Sequence, residues 1–354
     1  MDKFTTTVQS SLIEVLKKID SSPFTQTVFV LDNKKVVGTI TDGDIRRGII
    51  NGLSLSHPII EFINKNFLFV QEGENNFDKL KIFRKKRLKA IPLLNSKGEL
   101  VKIIDFTKIK SMLPVDAVIM AGGKGTRLRP LTYDTPKPLL KVGEKEIISY
   151  NFDRLHQFGI NNQYITVNYL GEQLKSFCET YNNKINFNIV WEKEFMGTAG
   201  SLSLIDDFKN DTVLLMNSDL LTNIDYEDFY KSFLDSNADL MVASISYPVN
   251  LPYAIFDSKD RTVLGFKEKP KFTYFANAGI YLIKKKILKN IPKSTFFNAT
   301  DLMETVINSD KKGLEASLSK NKIFIDIEKH ESLENAFKNI SSKLITIVTS
   351  YSHV

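Results

Sequence analysis

Residues 114–140 read PVDAVIMAGGKGTRLRPLTYDTPKPLL. The apolar run PVDAVIM predicts a buried strand, and it breaks at once into glycines. Gly122, Gly123 and Gly125 let backbone N–H groups come close to an anion and allow positive φ. Arg127 adds a planar donor fork and Lys137 a compact point charge. Pro136 and Pro138 restrict the backbone that presents Lys137. The stretch predicts an anion-binding turn at the end of a buried strand. A plain glycine turn with solvated cations is the blander reading. The joint spacing of strand, glycines, arginine and Pro-Lys-Pro weighs against it.

Two familiar phosphate motifs do not fit. A G-x-x-x-x-G-K-[ST] loop fails because Gly125 follows Lys124 and Val118 stands where the first glycine belongs. A G-x-G-x-x-G fingerprint fails because Gly123 and Gly125 run on to Leu128. Beyond the turn, apolar strand patterns alternate with helical ones: DAVIMA, YNFDRLHQF, QYITVNY, GEQLKSFCETY and VLLMNSD. That alternation predicts α/β architecture, a mixed and mainly parallel sheet, with ligands at the carboxyl ends of its strands.

The composite G-G-x-G-T-R-x-x-P-x5-P-K-P resembles the signature of nucleotide-sugar pyrophosphorylases, the sugar-1-phosphate nucleotidyltransferases. The likeness covers roughly residues 115 to 345. It implies a Rossmann-like (GT-A-like) transferase domain, placed here at 115–350, that uses an NTP, a sugar 1-phosphate and Mg2+. Further segments fit in the same order. WEKEFMGTAGSL, with Gly197 and Thr198, resembles the stretch that approaches the base, which together with Ala121, Gly122, Gly123, Gly125 and Thr126 would bind nucleotide. Asp219 ends VLLMNSD where the family binds its metal, although a strand-end carboxylate also serves as a helix cap. Asp326 is its implied partner, with Glu328 replacing the glycine of the family's D-I-G. Glu268 and Lys269 of GFKEKP, and Asn277 and Gly279 of FANAGIYL, match the sugar-phosphate segments. Ala254 replaces the glycine of a P-Y-G motif, which leaves the sugar open.

The implied reaction is in-line attack of a sugar-phosphate oxygen on the α-phosphorus, releasing pyrophosphate. Arg127, Lys137, Asp219 and Lys269 are the catalytic candidates. An ionised phosphate needs no general base, which sets aside His57, His156, His330 and His353. VNYLGEQL resembles CBS-fused transferases associated with guanylyl transfer, so GTP with mannose- or glucosamine-1-phosphate is favoured. Uridylyl, cytidylyl or thymidylyl transfer, and a nucleotide sensor with an inactive transferase domain, are the alternatives.

The N-terminal part reads differently. SSLIEVLKKID has capping-box spacing between Ser11 and Glu14 and an apolar face of Leu12, Val15, Leu16 and Ile19. TVFVLDNKKVVGTITDGDIRR then predicts strand, turn, strand and helix start, echoed later by AIPLLNSKGELVKIIDFTKIK. Both copies are expected to precede a helix, as two small α+β units burying their sheets on each other. Residues 1–112 thus resemble a tandem CBS pair, separated from the transferase part by Pro114. That resemblance implies either an oligomerisation module or a nucleotide sensor. Thr41 and Asp44 match the family's ribose clamp, while the second copy offers Asp105 and Lys108 instead.

The 354 residues suffice for two domains. The net charge of +7 fits anionic metabolites, and its scattered lysines argue against nucleic acid. A single cysteine, Cys178, excludes an intramolecular disulfide. With no signal-peptide pattern and no apolar run long enough to span a bilayer, a cytoplasmic, non-membrane homo-oligomer is expected.

Overall fold

The computed structural model describes residues 4–21, 26–74, 76–181, 184–309, 313–319, 324–327 and 332. Chain contacts divide it into two compact units: Met1–Leu113 with Gln157–Gly159, and Pro114–His156 with Ile160–Val354.

The first unit opens with strand β1 (Thr5–Thr7), helix α1 (Leu12–Asp20), strands β2 (Thr27–Asp32) and β3 (Lys35–Thr41), and helix α2 (Asp42–Ile50). The capping box of α1 is formed in both directions: Ser11 N–H donates to the Glu14 carboxylate at 2.9 Å, and Glu14 N–H donates to Ser11 Oγ at 3.3 Å. Leu12, Val15 and Ile19 consequently face inward onto Val28, Val30 and Ile40. β1 pairs parallel with β2, and β2 antiparallel with β3. The same arrangement recurs in β4 (Val70–Gln71), α3 (Phe77–Lys85), β5 (Ala90–Leu94) and β6 (Leu100–Asp105). Phe29 and Val36 of the first sheet share one buried cluster with Ala90 and Leu94 of the second.

One expectation fails here. No helix succeeds β6; Phe106–Lys108 form a turn. Asp105 Oδ1 accepts from both the N–H and the hydroxyl of Thr107, at 2.9 and 2.6 Å. This local loop competes with helix propagation, and Pro114 disfavours a helical turn at the residue before it.

The second unit contains β7 (Val115–Met120), the short hairpin β8 (Lys141–Val142) and β9 (Lys145–Glu146), α4 (Ile147–Gln157), β10 (Asn162–Val167), α5 (Gly171–Tyr181), β11 (Asn186–Trp191), β12 (Thr212–Asn217), β13 (Leu220–Thr222) and α6 (Tyr226–Ser236). Next along the chain come β14 (Leu240–Asn250), β15 (Ile255–Lys259), β16 (Thr262–Lys267), β17 (Lys271–Lys284), α7 (Ala299–Ser309), β18 (Leu314–Ser319) and β19 (Phe324–Asp326). A seven-stranded sheet runs β11-β10-β7-β12-β17-β14-β18. It is parallel except where β17 meets β12 and β14. Leu302 and Val306 of α7 pack on one face, against Val118, Leu215 and Ile283. Side chains this deeply buried contribute about 1.5–3 kcal/mol each.

Strand register brings the motif residues to one edge of this sheet. Asn217 at the end of β12 pairs with Met120 at the end of β7, so the glycine turn and Asp219 leave the sheet side by side. Ile280 of β17 pairs with Met216, which sets Asn277 and Gly279 just beyond the same edge. Among the described residues, no helix is long and apolar enough to cross a membrane.

Candidate active site

The turn is held from below and open above. Ala121 is buried, its N–H donating to the Thr166 carbonyl at 3.0 Å. Gly125 has φ +59°, where a side chain would be strained. A Cβ there would lie 3.0 Å from Thr132 Cγ2 and 3.1 Å from Lys137 Cβ. Gly125 is therefore where the glycine turn touches the Pro-Lys-Pro segment, and the Thr132 hydroxyl donating to its carbonyl at 2.8 Å fixes that contact. Leu128, fully buried, anchors the one-turn 3-10 helix Thr126–Leu128 and leaves Thr126 and Arg127 exposed. A Cβ on Gly123 would meet nothing within 4 Å, so this glycine faces open space.

Beside the turn, the Lys137 ammonium is paired with Asp219 Oδ2, both side chains being largely buried. The other carboxylate oxygen, Asp219 Oδ1, is buried without a hydrogen-bond partner among the described residues. An unsatisfied buried carboxylate oxygen is costly unless a cation completes it. β19 lies antiparallel to β13, with Leu220 opposite Asp326, and Ile327 N–H donates to the Asp219 carbonyl at 3.2 Å. The backbone thus sets Asp219, in the turn just before β13, next to the strand that carries Asp326. Hard carboxylate oxygens from one or two residues, with phosphates supplying the rest, suit Mg2+. The residues fit that ion. Glu328 and His330 lie outside the described residues, as does His353.

Gly279 lies in an irregularity where β17 runs past β14 between Val242 and Ser244, and Asn277, paired with Ser244, borders it. Gly279 has φ +70°, and a Cβ there would sit 2.7 Å from Asn217 Nδ2, so glycine is required for β17 to pass the end of β12. Asn277 Oδ1 accepts from Gly279 N–H and its amide donates to the Tyr281 hydroxyl, both at 2.8 Å. Glu268 and Lys269 stand apart, exposed in the turn joining β16 to β17, and neither bonds to the Lys137–Asp219 pair.

The glycines of GTAG meet protein backbone. A Cβ on Gly197 (φ +76°) would lie 2.7 Å from Phe297 O, and one on Gly200 2.6 Å from Thr295 O. Ala199 and Gly200 N–H both donate to the Phe297 carbonyl at 2.9 Å, and Thr198 Oγ1 accepts from Ala299 N–H at 2.9 Å, closing the start of α7.

Glu192 is a residue that motif reading missed. It is 5% exposed and lies under the turn: its Oε1 would be 3.2 Å from a Cβ on Gly122. Burial pushes its carboxyl above the ordinary 4.5, and the Met196 N–H donating to Oε2 at 3.1 Å offsets only part of this. WEKEF carries three charges in five residues, which reads as solvated surface; nothing local distinguishes the one that turns inward.

In the first unit, Thr41 and Asp44 form a second capping box at the start of α2. Thr41 Oγ1 donates to Asp44 Oδ2 at 2.6 Å, and Arg47 pairs with Asp44 Oδ1 at 2.6 Å. His57 accepts from Ser54 N–H at 2.9 Å, and His156 is bonded to Asn161, so both serve local structure.

Comparison with known proteins bears on this arrangement. The nucleotidyl transferase family model matches residues 116–343, and the chain belongs to that family. A CBS domain model matches residues 1–51. The mannose-1-phosphate guanylyltransferase catalytic subunit beta of Dictyostelium discoideum is 33% identical over 190 residues, 51% of this chain and 52% of the relative. The bifunctional protein GlmU of Methanocaldococcus jannaschii is 28% identical over 208 residues, 56% and 49% respectively. The chain thus spans about half the length of the curated relatives it matches. A Bacillus anthracis structure assigned as glucose-1-phosphate thymidylyltransferase, with sucrose, superposes with TM-score 0.52 at 23% identity, over 64% of this chain and 96% of that one. At that identity the likeness shows the fold.

Proposed function

We propose that this chain transfers a nucleotidyl group from an NTP to a sugar 1-phosphate, yielding an NDP-sugar and pyrophosphate. The observation that carries this reading is the Lys137–Asp219 pair beside the open glycine turn, with Asp326 on the strand paired to β13. A polyanion laid over Gly123 would meet the amides of the turn, and Arg127 is exposed on the same segment.

An oxygen of the sugar phosphate attacks the α-phosphorus as the bond to the β-phosphate oxygen breaks, and the electron pair leaves with pyrophosphate. The nucleophile is already ionised, so no residue has to remove a proton. The protein's contribution is alignment and charge neutralisation. Arg127 and the turn amides hold the leaving pyrophosphate, and Lys137 exchanges its carboxylate partner for a phosphate. Lys269 and Glu268 receive the sugar phosphate, and Asn277 and Gly279 the sugar. Asp219 and Asp326 would hold Mg2+, which when bound withdraws negative charge from the phosphate oxygens.

For the base, guanine is favoured. An ionised carboxylate accepts hydrogen bonds only, and guanine alone offers adjacent N–H and NH2 donors on one edge. Glu192, desolvated against the first glycine of the turn, supports that match. The guanylyltransferase relatives support it too. Mannose- or glucosamine-1-phosphate is the proposed acceptor. Thr41 and Asp44 are proposed as a regulatory nucleotide site in the N-terminal CBS pair, spanning 1–112.

Pyrophosphate release from a matrix of NTPs and sugar 1-phosphates tests the reading. Highest turnover is expected with GTP. Absence of release with every combination overturns it.

A further inference from the structure

The glycine turn leads into an outer arm, Leu131–Asp134, whose own bonds are short-range. Leu131 N–H donates to the Leu128 carbonyl at 3.0 Å and Tyr133 N–H to the Pro130 carbonyl at 3.1 Å. Leu131, Tyr133 and Asp134 are exposed. The placement of this arm bears on the site, because Thr132 latches the Gly125 carbonyl and Lys137 follows a few residues on.

One segment holds the arm from outside: Asn168–Gln173, the turn after β10 and the first residues of α5. The Tyr169 hydroxyl donates to the Tyr133 carbonyl at 2.8 Å and the Thr132 carbonyl at 3.1 Å, one proton shared between two acceptors. The Gln173 amide donates to the Asp134 carbonyl at 2.9 Å. Three consecutive carbonyls are thereby tied to the start of α5. On the other side, the Asn168 amide donates to the Glu192 carbonyl at 2.8 Å, and a Cβ on Gly122 would lie 3.4 Å from Asn168 Cβ. Leu170, between these two sets of bonds, has φ +52°, a strained value for a residue with a side chain. Such strain persists only where the surroundings over-determine the backbone. Gly171 is part of that constraint: a Cβ on it would lie 2.7 Å from the Trp191 ring, so α5 begins packed against the residue beside Glu192.

We propose that Asn168, Tyr169 and Gln173 are positioning residues that fix the separation between the Glu192 side and the phosphate side of the nucleotide site. Ribose sets the distance from base to triphosphate, so two halves held at the matching separation bind an NTP without first having to be ordered. The three side chains act through the backbone of Thr132–Asp134 and Glu192 rather than on substrate. The inference rests on the reading of the glycine turn as the triphosphate site and of Glu192 as the residue that meets the base.

Hydrogen exchange of the full chain, with no substrate present, reads the brace independently of that reading. In Tyr169→Phe and in Gln173→Ala, amides of residues 125–135 are expected to exchange about two- to tenfold faster than in the wild type, with those of α7 unchanged. Asn168→Ala should instead speed exchange at residues 192–196. Wild-type exchange at 125–135 in both of the first two variants, or at 192–196 in Asn168→Ala, overturns the proposal. Steady-state kinetics then separates positioning from general scaffolding. Tyr169→Phe should raise KM for NTP by about two- to tenfold while leaving kcat and the KM for sugar 1-phosphate unchanged. An equal rise in both KM values, or a fall in kcat alone, overturns the positioning role. Wild-type chain that releases no pyrophosphate with any substrate pair would count against the proposed function, and the exchange comparison would still decide the brace.

Discussion

Lys137 and Asp219 meet as an ion pair although they leave the fold from different segments, one from the Pro-Lys-Pro turn and the other from the turn between β12 and β13. The pairing occupies one carboxylate oxygen and leaves Oδ1 buried without a partner among the described residues. In the proposed function that oxygen is where a cation would bind, with Lys137 compensating the carboxylate in its absence.

The thermal midpoint should respond to Mg2+ accordingly. Millimolar MgCl2 is expected to raise it in the wild type relative to EDTA. The increment should be larger in Lys137→Met, where the carboxylate has lost its ammonium, and absent in Asp219→Asn. Equal increments in all three proteins would remove Asp219 from the ion's coordination.

Two of the motif glycines should behave in opposite ways. Gly197→Ala places a Cβ 2.7 Å from Phe297 O at φ +76°, and is expected to cost about 1–3 kcal/mol in urea unfolding. Gly123→Ala meets nothing within 4 Å and should leave that stability unchanged while raising KM for NTP. Unaltered NTP affinity in Gly123→Ala would show that phosphates do not lie over the turn.

Glu192 gives a pH signature with a definite sign. Its folded carboxyl is raised above 4.5 because burial disfavours the charged form. The folded state therefore holds the proton more tightly than the unfolded one. The stability this contributes is complete below 4.5 and is lost as pH rises through the folded value. Glu192→Gln should flatten that part of the stability profile. It should also lower the preference for GTP over UTP, since an amide presents a donor where the carboxylate accepts.

Cys178 should be chemically silent. Burial pushes its thiol up to about 12, so almost no thiolate exists near neutrality. Reaction with a thiol-selective disulfide reagent at pH 8 should await unfolding by urea, and rapid labelling of the native protein would contradict the buried placement.

The glycine turn running from Gly122 to Lys137 was legible because its residue types lie within one continuous segment. The capping box Ser11–Glu14 and the apolar strands β7, β10 and β12 were legible for the same reason: their signals are local. Features that depend on distant partners could not be read. The β13–β19 pairing that brings Asp326 opposite Leu220 leaves no trace in either segment. Glu192 looks like its charged neighbours until the fold buries it. The close approach of the Phe297 and Thr295 carbonyls to Gly197 and Gly200 likewise depends on a distant segment. The helix expected after β6 was lost to the Asp105–Thr107 loop, a side-chain competition that an apolar pattern does not register.

The most direct test of the central claim is pyrophosphate release by Asp219→Asn and Asp326→Asn, each beside the wild type with GTP, a hexose 1-phosphate and MgCl2. Losing one well-placed electrostatic contact costs about 10²–10³ in rate, so both variants should fall at least that far with unchanged circular dichroism. Near-normal turnover in either one would contradict the account of the Asp219 and Asp326 carboxylates sharing the work of the site.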